Sequence, residues 1–173
     1  VVCHTLVMGS TGGSGIVVRG YGVSLDSGVT DIDTALPHPD APRPGERPRS
    51  SMAPTIAMAA GGRVLAFGSP GGSTIITTVV GIATNLIDFK MPLADAIAAP
   101  RFSQRNGLHT TFEEGLAAAD IQSLARLGHL SRFTNEIGAA TGLELFSNGI
   151  IQAAAEPNRR GGGAAMVVNP ASE

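Results

Sequence analysis

The chain is short of aromatic side chains, charge and thiols, and each shortage excludes something. Among its 173 residues there is no Trp and one Tyr, and charged residues make up 15%. That composition suits closely packed layers better than aromatic-rich recognition surfaces. The net charge is −2, with no basic stripe and no block of like charge. Nucleic acid is therefore not a predicted partner, and no disordered charged tail is expected. Lysine is nearly missing, since eleven of the twelve Lys and Arg residues are Arg. The single Cys3 excludes an internal disulfide framework and is neutral about compartment. No apolar run reaches the roughly 20 residues of a membrane-spanning helix, and no signal peptide is visible. The chain opens at Val1, inside an apolar run, which reads as a processed piece or fragment whose front could carry targeting information.

What is present is glycine, with 23 residues, and enough apolar content, 43%, to bury one real core. One domain over residues 1–173 is the expectation. Residues 1–8 have β character and lead into the glycine loop 9–15, then into β-branched residues 16–18. That loop has no P-loop Lys and no βαβ context, so nucleotide binding is rejected. Residues 21–25 read as another short strand. Pro37, Pro39, Pro42, Pro44 and Pro48 mark residues 35–49 as a loop. Residues 55–59 and 64–67 flank Ala60-Gly61-Gly62-Arg63 as a β-hairpin.

Apolar residues then recur on two adjacent rows over 75–87 (Ile75, Ile76, Val79, Val80, Ile82, Ala83, Leu86, Ile87), predicting a helix with a wide buried face and Ser73 as its cap. Pro92 fits the first turn of a shorter helix ended by Pro100. Residues 108–113 read as a strand. Residues 120–127 read as a helix closed by Gly128, with Leu124 and Leu127 facing inward. Residues 143–146 and 150–154, around Asn148-Gly149, predict a second hairpin with a type I′ turn. Strands, then helices, then strands make an α+β layered domain with antiparallel sheet, not alternating βαβ units.

Several stretches could carry chemistry. Gly68-Ser69-Pro70-Gly71-Gly72-Ser73 joins a strand to a helix, and a helix starting at such a turn presents backbone N–H groups to negative charge. Two fixed N–H donors are what acyl transfer needs for its oxyanion. Ser50 and Ser51 are turn formers by type, yet a serine pair ahead of a strand can donate two hydrogen bonds to a carboxylate. Asp31 can meet an ammonium. His4, His38, His109 and His129 lack any metal-ligand spacing, so no metal is predicted. The absence of a G-x-S-x-G elbow removes the α/β-hydrolase reading.

Taken together, Arg47-Pro48-Arg49-Ser50-Ser51-Met52-Ala53-Pro54-Thr55 and the stretch from Gly68 to Thr78 resemble the small subunit of γ-glutamyltransferases. So do Ala99-Pro100-Arg101-Phe102, Glu113-Glu114-Gly115, Leu127-Gly128-His129 and Ala155-Glu156-Pro157-Asn158-Arg159-Arg160-Gly161-Gly162. The resemblance covers almost the whole chain. It implies an N-terminal-nucleophile hydrolase, an αββα sandwich in which a proenzyme cleaves itself. The new terminal Thr then serves as nucleophile, with its own α-amine as base. It also implies that Gly71 and Gly72 form the oxyanion hole, that Ser50 and Ser51 hold the donor's α-carboxylate, and that Asp31 binds its α-ammonium. The implied partners are the large subunit of the same proenzyme, a γ-glutamyl donor such as glutathione, and water or an amino-acid or peptide acceptor. No cofactor is implied. A periplasmic or secreted location is compatible with the resemblance, the location itself staying unassigned.

The departures are specific. The nucleophilic Thr falls upstream of Val1. Val7 stands where the family has a supporting Thr, Gly9 where it has an Asn, and Gly28 where it has a Gln. The ammonium pocket thus reduces to Asp31. Two alternatives stand beside the first reading: an acylase of the same fold with a different carboxylate-bearing donor, and a non-catalytic homologue.

Overall fold

The computed structural model describes residues 12–28, 43–47, 49–105 and 107–168. These fall into two compact units that meet in sequence between Met52 and Ala53. The first unit holds one short antiparallel pair, β1 (Val17–Val18) with β2 (Val23–Ser24). Backbone bonds from Leu25 N–H to Ile16 O and from Ser14 N–H to Leu25 O, both 2.9 Å, extend the pairing. These are the two short strands expected around residues 16–18 and 21–25. The predicted strand over residues 1–8 lies outside the described residues, as does most of the Pro-rich loop.

The second unit begins with the hairpin β3 (Thr55–Met58) and β4 (Val64–Gly68), turned by Gly61 and Gly62 at positive φ. It joins β8 (Thr141–Leu145) and β9 (Ile151–Ala155) in an antiparallel sheet of order β3-β4-β8-β9. Leu65 and Phe67 of β4 pack against α1 (Ile75–Ile87) and α2 (Leu93–Ala98). Ile75, Val79, Ile82, Leu86, Leu93, Ala96, Ile97, Ala140 and Ala154 complete that core. Register puts Ile56, Ala66, Leu143 and Ala153 in one row of the opposite face, and Met58, Val64, Leu145 and Ile151 in the next. The opposite face thus also carries apolar rows, although Met58 and Ile56 are exposed there, and the row of Leu65 on the first face also holds Glu144 and Gln152.

A second sheet contains β5 (Phe102–Ser103), β6 (His109–Glu113) and β7 (Leu130–Thr134). Here the expectation of purely antiparallel sheet is corrected. β6 and β7 run parallel, joined by α3 (Ala118–Arg126), because a parallel pair needs a crossover and this helix supplies its length. β7 gave little sequence signal, since its side chains are mostly exposed.

Other expectations shift locally. α1 spans the predicted residues, but only one of its two rows is buried; Ile76, Val80 and Ile87 are exposed. Thr74, not Ser73, occupies its N-cap position, because a 3-10 turn over Gly72–Thr74 precedes the helix. Pro92 stands at the N-cap of α2 instead of inside its first turn. Leu124 is half-buried and Leu127 exposed, so α3 has no fully inward face. At Asn148-Gly149 positive φ falls on Gly149 only, and Gly149 N–H bonds Phe146 O at 2.9 Å. A type I′ turn needs positive φ at both residues, so this is a type I turn with a glycine bulge.

Leu86 has no exposed surface and belongs to the α1–α2–sheet core. Leu86→Ala is expected to cost about 2–5 kcal/mol, read as a lower urea midpoint for the complete protein.

Candidate functional site

The site is built where β4 runs out. Its last residue, Gly68, passes the chain through Ser69 and Pro70 into Gly71 and Gly72, then into the 3-10 turn and α1. Gly71 has φ 147° and Gly72 φ 56°. A Cβ on Gly71 would come within 2.6 Å of Thr74 Oγ1, so both conformation and space demand glycine there. Gly71 O accepts from Thr74 N–H at 3.1 Å and from Thr74 Oγ1 at 2.9 Å. In a trans peptide the N–H points opposite to the carbonyl of the same unit. Tying Gly71 O back to Thr74 therefore turns Gly72 N–H away from the helix start.

Segment 137–139 supports this turn from behind. Ser69 Oγ donates to Pro70 O at 2.7 Å and accepts from Ala139 N–H at 3.1 Å. Gly138, at φ 70°, lies so close that a Cβ would meet Ser69 Oγ at 2.5 Å and Pro70 O at 3.1 Å. On the solvent side, exposed Arg105 donates through Nη1 to Ser73 Oγ at 2.5 Å.

Segment 137–139 is in turn held by a network of four charges, of which Arg101, Glu113 and Glu156 are buried and Arg159 half-buried. Glu113 Oε1 accepts from Ile137 N–H at 2.5 Å, and Arg101 Nη1 donates to Ile137 O at 2.7 Å. Arg101 Nη2 pairs with Glu156 at 2.9 Å, and Arg159 pairs with Glu156 at 2.8 Å and Glu113 at 2.5 Å. Arg159 Nη2 also reaches Ala99 O at 2.9 Å. Burial, and then the like charge of Arg159, lower the Arg101 pKa, with Glu156 only partly offsetting them. Burial also pulls on Arg159, but hydrogen bonding and charge from Glu113, joined by Glu156, outweigh it and leave its pKa raised. Both guanidiniums remain charged.

Sequence reasoning quoted these charged stretches but gave them no role. Their signal was three charged motifs far apart in sequence; only the fold shows that they meet. Ser69, Thr74 and Gly138 were likewise missed as supports of the turn.

The remaining predicted residues divide. Ser50 is exposed and its Oγ accepts from Met52 N–H at 3.2 Å, while Ser51 is half-buried. Both belong to the first unit, and Gly71 and Gly72 to the second. Asp31, Val7 and Gly9 lie outside the described residues. His129 Nδ1 sits 3.1 Å from Thr110 Oγ1, and His109 is exposed. Among the described residues no three His, Cys, Asp or Glu side chains form a group that could hold a metal.

The sequence profile described as Gamma-glutamyltranspeptidase matches residues 1–166. The glutathione hydrolase proenzyme of Bacillus subtilis is 32% identical over 171 residues, covering 98% of this chain and 29% of that protein. An acylase ACY 1 proenzyme from a Pseudomonas species is 32% identical over 132 residues, covering 75% of this chain and 23% of that protein. The chain thus spans under a third of the length of these relatives. A highly active mutant of gamma-glutamyltranspeptidase from Pseudomonas nitroreducens superimposes with TM-score 0.82 at 28% identity, covering 98% of this chain and 93% of that one. The mixed helix-and-sheet fold is accordingly that of N-terminal-nucleophile hydrolases.

Glu113→Ala would strip one of two carboxylate partners from the half-buried Arg159 and the acceptor from two buried backbone N–H groups. Breaking a buried pair on one side costs about 3–5 kcal/mol, so a large fall in the thermal midpoint is expected, checked by calorimetry on the complete protein.

Proposed function

The chain belongs to the gamma-glutamyltranspeptidase family, and we propose that in its complete protein it forms the oxyanion-stabilising side of a γ-glutamyl amide hydrolase or transferase. The observation that carries this reading is the positive-φ Gly71-Gly72 turn at the start of α1, in the motif where the family resemblance expects the two donors.

In this reading a Thr ahead of Val1 adds its hydroxyl oxygen to the donor's amide carbon, and its proton passes to the Thr α-amine. The carbonyl oxygen becomes an oxyanion, met by Gly71 and Gly72 N–H. Collapse breaks the C–N bond, the leaving amine takes the proton, and an acyl ester remains on Thr. Water or an amino-acid or peptide acceptor then takes the acyl group. Fixed donors suit this chemistry because they need no reorganisation as charge develops; one of them is worth about 10²–10³ in rate. Ser50 and Ser51 hold the donor carboxylate, and Asp31 its ammonium. The large subunit is the expected partner, and it would cover apolar residues left exposed here, such as Met58, Ile76 and Val80. Without it and the Thr, this chain alone is expected to be inactive.

The similarity to an acylase proenzyme favours a second reading. With Gly28 where a Gln is expected, a donor bearing a carboxylate but no α-ammonium would lose little. Paired donors with and without the α-amino group separate the two. A γ-glutamyl enzyme should lose most of its kcat/KM on the deaminated donor, whereas an acylase should keep it.

Expression from the complete reading frame tests the mechanism through intact mass and N-terminal sequencing. Two fragments are expected, the smaller starting with Thr ahead of Val1; one uncut chain would sink the threonine mechanism. In the matured protein, Ser51→Ala should raise KM for the donor by about tenfold or more, since a hydrogen bond to a charged group is worth about 1.5–3 kcal/mol.

A further inference from the structure

Each N–H in the turn shares a peptide plane with a carbonyl, and both carbonyls are held by side-chain hydroxyls. Ser69 Oγ donates to Pro70 O at 2.7 Å, and Pro70 O belongs to the peptide that carries Gly71 N–H. Thr74 Oγ1 donates to Gly71 O at 2.9 Å, and Gly71 O belongs to the peptide that carries Gly72 N–H. Because these units are planar and trans, fixing the carbonyl fixes the direction of its N–H. We propose that Ser69 and Thr74 are positioning residues that aim Gly71 and Gly72 N–H. This inference rests on the oxyanion role proposed for that pair.

The two hydroxyls are not equally supported. Thr74 is helped by its own backbone N–H, which bonds the same Gly71 oxygen at 3.1 Å. Among the described residues Ser69 carries the Pro70 carbonyl without such help, and its Oγ is itself fixed by Ala139 N–H at 3.1 Å. Ala139 is two residues from Ile137, whose N–H and C=O are clamped by Glu113 and Arg101. A continuous path thus runs from the buried charges through segment 137–139 to Ser69 and the Gly71 peptide. Glycine is needed at 138 because any Cβ would strike Ser69 Oγ. Glycine peptides rotate more freely than those of any other residue, so each bond that fixes their carbonyls matters. Losing one hydroxyl should therefore let one donor swing out of line.

The test uses the complete protein carrying Ser69→Ala, Ser69→Thr, Thr74→Val and Thr74→Ser, assayed for turnover of a γ-glutamyl anilide and for hydrogen–deuterium exchange. A donor displaced by about 1 Å costs on the order of 10²-fold in rate. Ser69→Ala is expected to lower kcat by roughly 10–100-fold with KM little changed, and to speed exchange in peptides covering residues 69–74. Thr74→Val should do the same more weakly, and Ser69→Thr and Thr74→Ser should restore both readouts. Unchanged exchange over 69–74 in Ser69→Ala overturns the inference whatever the activity. So does faster exchange with full kcat, a change in KM alone, or no rescue by Ser69→Thr. If the wild-type protein turns over no γ-glutamyl donor, the functional reading fails, while faster exchange in Ser69→Ala, reversed in Ser69→Thr, still supports the hydroxyls as what holds the turn.

Discussion

Three buried charges, Arg101, Glu113 and Glu156, with the half-buried Arg159 fasten together the end of α2, β6, segment 137–139 and the chain after β9. Their desolvation is tolerable only because nearly every polar atom has a partner, including backbone groups at Ile97, Ala99, Arg101 and Ile137. Such a cluster has little freedom to relax. These elements are held by hydrogen bonds of fixed length and direction as well as by apolar packing. The sheet and helices supply burial, whereas the charges supply registration between parts that burial alone would leave free to slide.

The Gly71-Gly72 turn depends on that registration. Its positive-φ backbone is kept by Thr74 in front and by Ser69 and Gly138 behind, and segment 137–139 is held by Glu113 and Arg101. A glycine pair keeps one conformation only where its surroundings fix it, and such fixing matters most at sites that must be preorganised. Oxyanion stabilisation is such a case, because donors that must rotate into place at the moment of reaction lose most of their value. For the oxyanion role proposed for this pair, rigidity of the turn becomes the quantity to protect.

Much of this was legible in the sequence. Periodicity located α1 to the residue, and paired β runs around glycine located both hairpins, since these signals are local and repeated. The motif at 68–73 marked the turn, and the spacing of several motifs marked the family. Less legible were β7, whose exposed side chains leave no burial pattern, and the exposed second row of α1. Periodicity records apolar faces without saying what covers them.

The sequence by itself determined what is local: a glycine turn at 68–73, the apolar periodicity of α1, the glycine-turned hairpins, and the motifs that carry the charges at 101, 113, 156 and 159. Only the tertiary structure decided that those charges meet, and that Ser69 and Thr74 each hold a carbonyl in the glycine turn. The reason is physical. A glycine's conformational freedom and a side chain's apolarity are properties of one residue or one helical turn. A hydrogen bond between Glu113 and Ile137 joins groups 24 residues apart, and nothing local in either segment encodes the distance or direction that closes it.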